Sequence, residues 1–199
     1  MFFLSQTEQA NGYWLIMVRL STEKTADLLP FGYEIIVNNQ SWVLFSQTAN
    51  QAGFLSNSKS INTPNIKIDY TEKTTKTTPP WVLFNQKNTF FDAKKTYLLL
   101  AKDLKMAGVF HLLKELRIQA RFIVLLHATE SFPCIIKPAQ IMFHNFPHEA
   151  IGSCPLLEDW KLVNRLCSSQ GLPGCFDGDF NALFKVWKPP TDWEILDFG

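Results

Sequence analysis

The segment "TYLLLAKDLKMAGVFHLLKELR", Thr96 to Arg117, decides how this chain is read. Its first part, Thr96 to Ala101, is a near-continuous apolar run of the kind a parallel sheet buries on both faces. From Asp103 onward the period becomes helical: Val109, Leu112, Leu113 and Leu116 recur on one side, and His111, Lys114 and Glu115 are expected to turn away. "RFIVLLHA", Arg121 to Ala128, then supplies a second apolar strand, so the stretch reads as strand, helix, strand in a parallel sheet. No glycine separates the first strand from its helix, which raises the question of whether a nucleotide could sit there.

Toward the C-terminus, "LVNRLCS" (Leu162 to Ser168) is a third parallel-strand candidate. "QGLPGCFDGDFNALFKVW" follows as a tight turn and a short helix carrying Phe180, Leu183, Phe184 and Trp187, which Pro189 and Pro190 stop. The tail beyond holds Trp193, Ile195, Leu196 and Phe198, an extended arm for its own domain or for another molecule. "CIIK" and "AQIMFH" are short strand candidates between prolines, and Pro147 is expected at the first position of a helix with Glu149 near its positive end.

Toward the N-terminus the character is β. "YWLIMVRL" (Tyr13 to Leu20) is rich in strand formers, and "GYEIIVNNQSWVLFSQ" (Gly32 to Gln47) reads as two strands about Asn38 and Asn39. "SNSKSINTPN" is a loop, "IKIDY" (Ile66 to Tyr70) a short strand, and "TEKTTKTTPP" a polar exposed loop. "WVLFSQ" at Trp42 and "WVLFNQ" at Trp81 read as two strands filling one core with similar side chains.

Composition narrows the function classes. With 19 Lys and Arg against 18 Asp and Glu, the net charge of +1 creates no global field for nucleic acid or anionic lipid. The lysines around Tyr70 lack the interleaved aromatics of single-strand binders, so no nucleic-acid role is expected. No apolar run reaches the roughly 18 residues of a spanning helix. Cys134, Cys154, Cys167 and Cys175 form no CxxC pair, and the expectation is a cytoplasmic protein with reduced thiols. The 17 Phe and 6 Trp suggest that some aromatics fill an interface.

A β-rich first part followed by strand, helix, strand resembles the flavin-dependent ferredoxin reductase superfamily, and within it the electron-transfer subunit of dihydroorotate dehydrogenase. "TYLLLAKDLKMAGVFHLLKEL" is similar to the first strand and helix of the pyridine-nucleotide half, and "PLLEDWKLVNRLCSSQGLPGCFDGDF" to its end. "VLFNQKNTFF" (Val82 to Phe91) stands where the family has its interdomain segment. The resemblance implies an α/β chain: a degenerate, partial flavin-type β-barrel over 1–94, then a Rossmann-like parallel sheet flanked by helices over 95–199, ending in the aromatic tail.

Departures from that pattern carry the functional expectation. The family places a glycine-rich turn after its first nucleotide-half strand, because a residue without Cβ lets backbone approach a pyrophosphate. Here the positions are Ala101, Lys102, Asp103, Leu104 and Lys105, with Gly108 already inside the helix. Asp103 is expected to cap that helix, taking the donors a phosphate would use, while Lys102 and Lys105 would offset the repulsion. From Leu20 to Lys95 there is no arginine to hold a flavin phosphate. The four cysteines are too widely spaced, and the chain ends too soon after Cys175, for the family's two-iron module.

The remaining candidates are few. Cys175, in a turn near a helix start, reads either as a thiol favoured as thiolate or as a small buried thiol packing under the glycine turn; the resemblance implies a place close to the nicotinamide, and Gly174 is a cofactor-binding candidate beside it. His144, His148 and Cys154 are a candidate metal set, with a surface loop as the plainer reading. Glu158 and Asp159 are read as helix-end charges. The expectation from sequence is thus a reductase-like protein without cofactor, a component of a larger assembly that binds another protein or its own copy through Trp193, Ile195, Leu196 and Phe198. The competing expectation is an atypical FAD- or NAD(P)-linked oxidoreductase or electron-transfer subunit.

Overall fold

The computed structural model describes residues 1–20, 29–59, 67–69, 71–72 and 91–199. "WVLFNQ", the interdomain-like segment up to Phe90 and most of the threonine-rich loop lie outside these residues. Packing separates two compact units: Met1–Phe90 with Leu104–Glu115, and Phe91–Asp103 with Leu116–Gly199.

The first unit is an antiparallel sheet of β1 (Phe2–Glu8), β2 (Trp14–Arg19), β3 (Glu34–Val37), β4 (Gln40–Gln47), β5 (Gln51–Ser56) and β6 (Thr71–Glu72), ordered β1-β2-β5-β4-β3-β6. Alternation sends Ile16, Val18, Ile35, Val37, Trp42, Leu44 and Phe54 into one core. Asn38 and Asn39, at φ 49 and 63, make the two-residue turn joining β3 to β4. Phe2 bridges to Lys67, and Ile68 N–H donates to the Met1 carbonyl, so the stretch leading to β6 also holds β1 and curls the sheet on itself. β1 was not anticipated. Its Ser5, Gln6, Thr7 and Glu8 mask the pattern, while the ladder with β2 is set by backbone pairing.

Helix α1 (Met106–Leu116) packs with this unit, an outcome that corrects the expected orientation of His111. The helix is buried on every side from Met106 to Leu113, so the face opposite its apolar stripe is also covered. Ala107 joins Tyr13, Val43 and Leu55, Phe110 lies 5.8 Å from Phe45, and the His111 ring meets Phe31 edge-on at 4.8 Å.

The second unit carries a five-stranded parallel sheet, ordered β12-β11-β8-β7-β13. Its strands are β7 (Thr96–Lys102), β8 (Arg121–Ala128), β11 (Val163–Ser168), β12 (Phe176–Asp177) and β13 (Glu194–Asp197). One face buries Leu98, Leu100, Ile123, Leu125 and Cys167 against Leu183 of α3 (Phe180–Val186) and Trp187. Lys137–Pro138 (β9) and Gly152–Ser153 (β10) make a separate small pair. The rest of "CIIK" and all of "AQIMFH" are loop, because the prolines that bracket them interrupt any longer ladder. Pro147 starts no helix; the proline at a first helical position is Pro155, opening α2 (Pro155–Asp159). The aromatic tail becomes β13, parallel to β7, with Phe198 buried, Trp193 and Leu196 half-buried and Ile195 exposed. No helix among the described residues is long and apolar enough to cross a membrane.

Burial pushes the His111 imidazole down from 6.5 to about 4, with Lys114 adding to the effect, and its Nδ1 has no hydrogen-bond partner. The unfolded chain takes up the proton first, so this contribution is complete above pH 6.5 and is lost as the pH falls toward 4. Urea unfolding should show stability declining across that window, and His111→Leu should flatten the decline. A variant with the same slope as the wild type would contradict this assignment.

Candidate functional site

The carboxyl ends of the parallel strands gather most of the polar chemistry of the second unit. Register places Lys102 of β7, His127 of β8 and Cys167 of β11 side by side on one face. Asp177 and Asp197 stand at the ends of β12 and β13. In open parallel sheets ligands bind at this edge, most often where the strand order reverses, which here is between β7 and β13.

That position is occupied by the protein's own groups. Asp103, immediately after β7, has left-handed backbone at φ 48. Its carboxylate does not cap α1 as expected: Oδ1 accepts from the Thr129 N–H at 2.7 Å and Oδ2 from the Thr129 hydroxyl at 2.8 Å. The left-handed backbone aims the carboxylate across to the loop after β8 rather than along the helix. On the β13 side, Phe198 N–H donates to the Leu100 carbonyl at 2.8 Å, and Lys102 N–H to the Gly199 carbonyl at 3.2 Å. A dinucleotide pyrophosphate needs free backbone donors and no Cβ at this turn. The turn here carries the Asp103 side chain and its negative charge where such a site has glycine, which disfavours a pyrophosphate, although the carboxylate leaves the first N–H groups of α1 uncapped.

The remaining rim groups form a neutral cluster beside acids. His127 Nε2 lies 2.9 Å from the Ser169 hydroxyl, and its ring centroid 5.7 Å from that of Phe180. Burial and then the Lys102 charge lower its pKa, opposed by Asp103 and Asp179, so the imidazole is neutral around pH 7. Asp179 caps α3 by accepting from Ala182 N–H at 2.8 Å, which holds its carboxyl below the usual range. Burial pushes Cys167 up to about 12 and Cys175 up to about 11. For Cys175 burial favours the protonated thiol, which agrees with the packing reading of that residue rather than with a thiolate activated by the turn. His127, Ser169, Thr129 and Asp179 were not singled out from sequence. The available signal was that His127, next to the end of β8, interrupts a run that is apolar from Phe122 to Leu126.

The other sequence candidates lie apart. Lys105 pairs with the largely buried Glu34 inside the first unit. Gly174, at φ 79, accepts a hydrogen bond from Gly152 N–H at 2.6 Å, and a Cβ on Gly152 would come within 2.8 Å of its oxygen. The pair is a backbone-to-backbone contact that fixes the loop. The strand-glycine-helix turn of this edge is instead Gly178, where a Cβ would meet that of Ala182 at 2.9 Å. His144 and His148 are exposed, while Cys154 is fully buried before α2, hydrogen-bonded through its thiol to Cys134. Among the described residues no three His, Cys, Asp or Glu side chains converge to hold a metal.

No protein-family model matches the sequence, and no curated protein matches it. Solved structures do. An NADH-dependent reduced ferredoxin-NADP oxidoreductase is 10% identical, with a TM-score of 0.56 over 98% of this chain and 67% of its own. A siderophore-interacting protein from Acinetobacter baumannii is 12% identical, with a TM-score of 0.57 over 99% of this chain and 76% of its own. Flavohemoglobin from Malassezia yamatoensis is 11% identical, with a TM-score of 0.56 over 98% of this chain and 51% of its own. The chain thus shares the fold of these structures, an antiparallel sheet followed by a Rossmann-like parallel sheet.

Two substitutions test the edge. Asp103→Ala should lose about 1–2 kcal/mol in urea unfolding, the charge-assisted bonds being partly solvated. Gly152→Ala should cost about 1–3 kcal/mol through its clash with the Gly174 backbone. Wild-type stability in either variant would contradict the role given to that contact.

Proposed function

We propose that the protein is an atypical flavin-linked oxidoreductase or electron-transfer domain of the ferredoxin-reductase type. The observation supporting this is the likeness of both units, in order and over 98% of the chain, to structures whose names describe flavin-based electron bifurcation and bound FAD. FAD supplies the electron-transfer chemistry in such a protein, and the chain binds it, orients it and limits its exposure. With no arginine from Leu20 to Lys95, a flavin phosphate held by the antiparallel unit would meet lysines and backbone N–H groups. Pyridine dinucleotide binding at the first strand-helix turn is not part of this reading. The finer likeness to the electron-transfer subunit of dihydroorotate dehydrogenase belongs to the same proposal, without an iron-sulfur centre.

A second reading, a cofactor-free component of an assembly, is supported by one observation: the first strand-helix turn carries an anchored carboxylate, that of Asp103, in place of a glycine. In that case β13, an edge strand with Ile195 outward, is the element offered to another protein or a second copy of this chain.

The two separate in a titration of purified protein into FAD, followed by flavin fluorescence and the visible spectrum. The flavin reading predicts saturable one-to-one quenching and a protein that stays yellow through desalting. Absence of binding up to about 1 mM, an affinity of only about −4 kcal/mol, would contradict it and leave the second reading.

A further inference from the structure

We propose that the amino edge of the parallel unit is a binding site for a small aromatic carboxylate. Two adjoining pockets of about 230 and 180 Å³ open there, sharing Met142 and Phe143 as a common wall. They lie at the opposite edge of the sheet from Asp103 and His127, at the starts of β8 and β11. Their volumes suit a molecule of one or two rings rather than a dinucleotide.

The walls select the body of the ligand. Trp187, Trp193 and Phe143 line the larger pocket, with the Phe143 and Trp193 rings nearly parallel, 16° apart in plane, and Trp187 edge-on to Phe143 at 5.5 Å. These faces offer stacking and edge contacts to a planar ring. Met142, 75% exposed at the shared wall, is a flexible side chain able to fold over whatever enters.

The charges select its head group. None of the residues lining either pocket is acidic, whereas Arg121 and Lys188 line the larger and Arg165 the smaller. Arg165 is the informative one. The residue is 7% exposed, and its guanidinium donates to the Asn164 carbonyl at 2.6 Å and the Ile141 carbonyl at 2.9 Å and lies 5.9 Å from the Phe143 ring centroid. Two carbonyls orient it, and the Glu158 charge favours its ionised form without an ion pair being made, so a largely buried cation stands at the pocket wall with no ion-pair partner among the described residues. A planar carboxylate is the group whose geometry and charge match a guanidinium. Arg121 and Lys188, placed by the outer pocket, would draw the same anion in.

The probe is 1-naphthoate, titrated into the full chain by calorimetry and by quenching of tryptophan fluorescence, alongside the neutral 1-naphthalenemethanol. We expect one-to-one naphthoate binding, roughly tenfold or more tighter than the alcohol, and a loss of at least about tenfold in Arg165→Gln. Because Arg165→Gln removes a buried support and is open to misfolding, Arg121→Gln with Lys188→Gln serves as the second variant and should weaken naphthoate severalfold without changing the affinity for the alcohol. Equal affinity for acid and alcohol, no saturable naphthoate binding up to about 1 mM, or unchanged binding in the folded variants would overturn the proposal. FAD titration leaves this result untouched, so its failure and that of the flavin reading are distinguishable.

Discussion

The second unit is organised around one carboxylate, that of Asp103, held by two hydrogen bonds from Thr129. β7 lies between β8 and β13, so its carboxyl end is the switch point at which an open parallel sheet presents its crevice. A glycine there would leave the crevice free for phosphate. An aspartate in left-handed conformation instead turns its negative charge into the space and ties the two loops together. The hydrogen bonds of Phe198 and Gly199 close the other flank. The parallel sheet thus carries, at its switch point, a side chain anchored within the protein in place of a glycine turn.

Charge is divided between the two edges of this sheet. The carboxyl edge sets Asp103, Asp177, Asp179 and Asp197 against Lys102, whereas the pockets at the amino edge are lined by arginine, lysine and histidine without an acid. At the carboxyl edge burial lowers the His127 pKa and raises that of the Cys175 thiol, so both groups favour their neutral forms.

Strong periodicity made the parallel unit legible in the sequence. The apolar runs at Tyr97–Ala101 and Phe122–Ala128, with the stripe of α1 between them, allow one topology. The hairpin at Asn38 and Asn39 was equally clear, since both residues tolerate positive φ. What could not be read depended on contacts between distant residues. His111 looked solvent-facing because one apolar stripe suggests one buried face, and the second covering comes from Phe31 and Phe45, far away in sequence. The proline rule for helix starts was sound but held at Pro155 rather than Pro147. Asp103 reads in the sequence as a cap on α1; that its partner is instead Thr129 follows from the left-handed turn, which no local pattern announces.

The claim that the first strand-helix turn is closed to pyrophosphate is open to direct measurement by following backbone amide resonances while ADP-ribose is added. The account predicts that the amides of Asp103 and Thr129 stay in place, because their surroundings are already complete. Saturable shifts of both amides, with the Thr129 bonds to the carboxylate exchanged for phosphate, would contradict it.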